Sequence, residues 1–105
     1  MSFLDKLFGG NTDHLSQALK NDATIIDVRS PMEYSNGHVE GSTNIPLDQL
    51  KDEISLLPSD RPIVFCCASG ARSGVATKLA NSNGFNAVNG GPWTNVFQHI
   101  QAERK

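Results

Sequence analysis

The residues with the types and spacing for covalent chemistry lie in one stretch, Cys66-Cys67-Ala68-Ser69-Gly70-Ala71-Arg72-Ser73. The run before it, Pro62-Ile63-Val64-Phe65-Cys66, has the β-branched and aromatic character of a buried strand. After it, Val75, Ala76, Leu79 and Ala80 recur at helical spacing. Cys67 therefore stands at the carboxyl end of a strand and directly before a helix, where open parallel sheets bind their ligands. The residues that follow are small, so the backbone is free to curl until several peptide N–H groups face one centre. The positive end of the next helix adds to that field. A thiol at such a centre is expected below the free value of about 8.5, because the amides solvate its anion. The same cradle suits the terminal anion of a cysteine persulfide.

Each neighbour has a chemical and a structural reading. Arg72 closes the loop, and either holds it, draws in anions, or begins a helix in solvent. Ser69 and Ser73 either give hydroxyls to the sulfur or cap the helix. Gly70 serves a left-handed turn or a close backbone approach. Cys66, the last strand residue, points to the opposite face and reads as core; as a resolving thiol it would force a strained ring between sequence neighbours. Asp27 ends an earlier strand on the same side and is expected to anchor a loop. Arg29 and Glu33 have the spacing of an ion pair near a helix start. His38 is expected to lock its loop by hydrogen bonds, and Trp93 to be core or pocket wall.

The elements that position these residues are legible along the chain. Thr24–Val28 is a short strand, followed by the capping box Ser30-Pro31-Met32-Glu33 with proline at the first helical position. Thr43–Ile45 is a second strand, and Leu47, Leu50, Ile54 and Leu57 mark a helix. Gly84 stops the helix after the cysteine loop. Phe85–Asn89 reads as a further strand, Gly90-Gly91-Pro92 as a turn, and Trp93, Val96, Phe97 and Ile100 as a last amphipathic helix. Asn11-Thr12-Asp13 is expected to cap a helix bearing Leu15, Ala18 and Leu19. Strands alternating with helices predict an α/β fold with a parallel sheet of four or five short strands and helices on both faces. Residues 1–10, with Phe3, Leu4, Leu7 and Phe8 on one face, are expected to form an apolar helical extension to a single domain spanning 11–105.

Three ordered motifs resemble the rhodanese homology domain: Asp27–Tyr34 with Gly37–Pro46, then Cys67–Ser73, then Asn89-Gly90-Gly91. The resemblance covers about residues 12–100. It implies that Cys67 is the catalytic, persulfide-forming cysteine and that Ala68, Ser69, Gly70, Ala71, Arg72 and Ser73 form its anion-binding loop. The implied reaction takes sulfane sulfur from thiosulfate or a persulfide, possible protein carriers included, and delivers it to a thiol or cyanide. Two departures stand out. Ala68 occupies a position where many thiosulfate-using members carry a basic residue, which favours a persulfide donor. Trp93 follows the glycine pair more closely than in many relatives.

Two other readings remain. Cys66 and Arg72 are separated by five residues, the spacing of phosphatases and arsenate reductases that form a cysteinyl adduct gripped by arginine. A second cysteine inside the loop and the lack of a preceding histidine weigh against it. A non-catalytic partner-binding or redox-sensing module is the other. The 105 residues carry a net charge of −2 and no basic stripe, which gives no general attraction for nucleic acid. No run reaches the roughly 20 apolar residues of a membrane span. His14, His38 and His99 have no ligand spacing to the cysteines, so neither metal nor cofactor is expected. A cytoplasmic monomer or homodimer is the expected setting.

Overall fold

The computed structural model describes residues 10–103, with side chains from His14 onward. The apolar face expected on Phe3, Leu4, Leu7 and Phe8 lies outside the described residues. Four parallel strands, β1 (Thr24–Asp27), β2 (Thr43–Asn44), β3 (Ile63–Cys67) and β4 (Ala87–Pro92), form one sheet in the order β2-β1-β3-β4. The helices are α1 (Gly10–Lys20), α2 (Pro31–Ser35), α3 (Leu47–Glu53), α4 (Ala71–Ser82) and α5 (Trp93–Glu103).

Strand β3 is central, and all five of its residues are buried. Its side chains alternate between two cores, as a strand with both faces covered requires. Ile63, Phe65 and Cys67 join Ile26, Val28, Leu50, Leu57, Ala76 and Ala80 on the α3/α4 face. Val64 and Cys66 join Leu15, Ala18, Val39 and Val96 on the α1/α5 face. Burial of one side chain the size of Phe65 contributes about 1.5–3 kcal/mol. The one-residue alternation puts the two cysteines on opposite sides of the sheet.

Helix α2 carries the expected capping box. Ser30 Oγ accepts from the Glu33 N–H at 3.2 Å, and Glu33 Oε1 accepts from the Ser30 N–H at 3.1 Å. Gly84 ends the segment after α4 with φ +90°.

Three expectations need correction. Helix α1 already includes Gly10, the first described residue, so Asn11-Thr12-Asp13 lie within it rather than before it. Polar start signals locate a helix end only to within a residue or two. The last strand begins at Ala87 and runs through Gly90, Gly91 and Pro92 instead of turning there. An extra residue accommodates the pairing: Phe65 faces Asn89, whereas Cys66 faces Gly91, leaving Gly90 as a bulge. A Cβ at Gly90 would lie 2.6 Å from Val96 Cγ2 and 2.8 Å from Val64 Cγ1, so only glycine fits. Arg29 and Glu33 do not pair; their partners are described below.

Candidate active site

Cys67 is the last residue of β3, and the chain turns at Gly70 (φ +102°) into α4. That left-handed conformation suits glycine, and it lets the loop double back over the sulfur. The Gly70 N–H donates to Cys67 Sγ at 3.0 Å and the Ser73 N–H at 3.3 Å. Ser73 Oγ lies 3.3 Å from the same sulfur. Burial pushes the Cys67 thiol up. The Ser73 hydroxyl and the peptide N–H groups of Ser73, Gly70 and Ser69 outweigh it, and the thiol stands below its ordinary value. The side chain itself is shut off from solvent, within the α3/α4 core. Ala68, Ser69 and Ala71 form the exposed rim above it.

The serines differ from a capping role. Gly70 occupies the cap position of α4 and no side chain caps it. Ser69 Oγ has only a long 3.5 Å contact from the Ala71 N–H. Ser73 is fully buried, between the sulfur and Asn89, to whose Oδ1 its hydroxyl donates at 2.7 Å.

Arg72 does not point freely into solvent. Its guanidinium grips Glu33 through two bonds of 2.7 and 3.0 Å. Arg72 holds the Glu33 carboxyl down at about 2, with help from the Ser30 N–H. The capping carboxylate of α2 thus fastens the cysteine loop. Arg29 turns instead to Asp27, with contacts of 2.7 to 3.0 Å, and donates to Gly37 O at 2.7 Å. The expected Arg29–Glu33 pair fails because Arg29 precedes the Ser30 cap, and helical spacing does not apply there. Asp27 anchors a loop through this bridge. The Arg29 guanidinium lies 5.2 Å from the Trp93 ring centroid, which makes Trp93 a wall of that buried pair. His38 packs on Tyr34 at 3.8 Å, with Nδ1 2.7 Å from Tyr34 O.

Cys66 lies across the sheet from the loop amides. Burial and the nearby Asp27 charge push its thiol up to about 12, which leaves it an inert core group. The geometry of an anion cradle therefore centres on Cys67 and not on Cys66.

Two residues with site contacts were not expected from the sequence. Glu33 reads there as a capping residue, and only its second partner ties it to the loop. Asn89 stands out only as the residue before a glycine pair. Its side chain bonds Ser73, Gly91 and Gly70. A groove of about 450 Å³ between α2 and α3 reaches Arg72 and is walled by Val28, Pro31, Pro46 and Leu47.

Comparison with known proteins agrees with this fold. The family description Rhodanese-like domain matches residues 11–91. The chain is 42% identical over 66 residues to the uncharacterized protein YqhL of Bacillus subtilis, covering 63% of this chain and 52% of that protein. It is 35% identical over 78 residues to the thiosulfate:glutathione sulfurtransferase of Saccharomyces cerevisiae, covering 62% of this chain and 56% of the relative. The match thus spans little more than half the length of these two relatives. Among solved structures, a rhodanese-related protein from Thermoplasma volcanium superposes with a TM-score of 0.70 at 29% identity, covering 86% of this chain and 88% of that one. By its matched span, its parallel sheet and the cysteine loop at the sheet's carboxyl end, the chain belongs to the rhodanese-like domain family.

Proposed function

We propose that this domain is a sulfurtransferase that carries sulfane sulfur as a persulfide on Cys67, within the loop Ala68–Ser73. The observation that carries the reading is the convergence of the Gly70 and Ser73 N–H groups on one sulfur. In the first step the Cys67 thiolate attacks the outer sulfur of a donor. The donor's S–S bond breaks, its electron pair leaves with sulfite or a thiolate, and Cys67 holds S–S⁻. In the second step a thiolate or cyanide attacks the outer sulfur. The Cys67–S bond breaks, and the thiolate returns with the electron pair. No oxidant is consumed, no proton need be moved by a base, and the amides stabilise the same negative charge throughout.

Donor choice follows from the rim. Ala68 offers no cation to thiosulfate, and the Arg72 charge is shared with Glu33. A low-molecular-weight or protein persulfide is therefore the favoured donor, and a thiol the favoured acceptor.

The complete burial of Cys67 favours a second reading, a rhodanese-like module that binds partners or senses oxidants without turnover. Intact-mass measurement separates the two. Treatment with a persulfide donor is expected to add one sulfur atom to the protein, and cyanide to remove it as thiocyanate. Cys67→Ser abolishes the gain and Cys66→Ser leaves it. Absence of the added sulfur in the wild type rejects the carrier, and loss only with Cys66→Ser rejects the assignment to Cys67.

A further inference from the structure

Ser73 has one hydroxyl hydrogen and two claimants for it. Its Oγ is 2.7 Å from Asn89 Oδ1 and 3.3 Å from Cys67 Sγ. The orientation of the Asn89 amide is fixed independently. Oδ1 accepts from the Gly91 N–H at 2.9 Å, and Nδ2 donates to Gly70 O at 3.2 Å. Ser73 must therefore be the donor to Oδ1, because an amide oxygen has no hydrogen to give. With that hydrogen committed, the contact between Ser73 and Cys67 is left for the thiol: S–H donates to Ser73 Oγ.

The arrangement reverses when the thiol ionises. A thiolate or persulfide anion is an acceptor only, and the Ser73 hydrogen stabilises it by turning from Asn89 to sulfur. Asn89 tolerates this turn, since Oδ1 keeps the Gly91 N–H. Gly70 O is likewise not dependent on Asn89, because it also accepts from the Gly74 N–H at 3.0 Å. The loop is pinned from the helix side whether or not Asn89 is present. Space for the amide comes from Gly74, where a Cβ would meet Asn89 Nδ2 at 3.3 Å.

We propose that Asn89 is a positioning residue that competes with Cys67 for the Ser73 hydroxyl hydrogen and so sets how readily the sulfur becomes an anion. The proposal deepens the reading of Cys67 as the sulfur carrier and rests on it for its use, but not for its test. Other charges around the sulfur are Arg72 with Glu33 from α4 and α2, and the Asp27–Arg29 pair at the end of β1. Asp48 of α3 shares the groove beside Arg72. None of these touches Ser73 Oγ or the Asn89 amide, so changes at Asn89 leave their contacts in place.

The test is the pH profile of iodoacetamide alkylation of Cys67, followed by mass in a Cys66→Ser background, which needs no sulfur transfer. Asn89→Ala removes the competing acceptor and is expected to lower the apparent Cys67 pKa by about half a unit or more. Ser73→Ala is expected to raise it, and Asn89→Ala added to Ser73→Ala is expected to change nothing further. Asn89 is exposed, so the alanine variant is expected to fold; Gly74→Ala, which crowds the amide from the helix, supplies an independent variant expected to shift the pKa in the same direction. An unchanged or raised pKa in Asn89→Ala, or an equal shift with and without Ser73, overturns the proposal. Should persulfide formation fail while the coupling persists, the carrier reading falls and the positioning role stands.

Discussion

Glu33 illustrates how one side chain is claimed by both structure and site. Its carboxylate closes the capping box of α2 through Oε1 and binds Arg72 of the cysteine loop through both oxygens. The folded-state pKa of about 2 lies below the ordinary 4.5. A depressed carboxylate contributes stability that is full above its unfolded value and is lost as pH falls through the folded one. Wild type is therefore expected to lose stability between about pH 4.5 and 2 through this group. Glu33→Gln keeps the capping geometry, since glutamine serves in the same box, but has no charge for Arg72. Its melting temperature is expected to lie below that of wild type near neutral pH, with the gap closing on acidification. A gap that stays constant down to about pH 2 would show that the ion pair adds nothing. The two cysteines make a related point: a step of one residue along β3 separates a thiol cradled by amides from one pushed up to about 12.

Elements position these residues, and the last strand does so through an irregularity. The bulge at Gly90 brings Asn89 opposite Phe65 and Gly91 opposite Cys66, which sets Asn89 beside Ser73. Gly90→Ala drives a methyl group into Val64 and Val96. Overpacking of this kind costs about 1–3 kcal/mol, and urea denaturation is expected to show a loss of that size. A variant as stable as wild type would mean that β4 re-registers without cost. This strand is also where the sequence was least legible. Periodicity identified β1, β3 and α4, and the small-residue loop after Cys67 pointed to the anion cradle, because those signals are local and repeated. A glycine pair reads locally as a turn. Only Val64, distant in sequence, and Val96 of the following helix reveal that Gly90 is a strand position with no room for a side chain. The Arg29–Glu33 pair fails because that spacing presumes a helix that includes Arg29, whereas α2 begins at Pro31 with Ser30 as its cap.

At the scale of the whole molecule, the sheet divides two cores, and the Asp27–Arg29 pair ties the end of β1 to the loop after α2 and to the head of α5. Arg29 reaches Gly37 O in the loop after α2 and packs over Trp93 at the head of α5. Both partners are buried, Asp27 completely and Arg29 with 5% of its surface exposed. Breaking such a pair from one side leaves an uncompensated charge in the interior, at a cost of about 3–5 kcal/mol, whereas replacing both partners by apolar residues is often close to neutral. Arg29→Leu is expected to lower the unfolding free energy by an amount in that range, read as a lower urea midpoint with the slope of the transition unchanged. Asp27→Leu combined with Arg29→Leu is expected to recover a substantial part of the loss. Full recovery would assign the pair no net stabilising role and leave its value in directing the Gly37 loop. No recovery would instead assign the cost to the lost Gly37 and Trp93 contacts, and the pair would then count as a tie between elements more than as an electrostatic one.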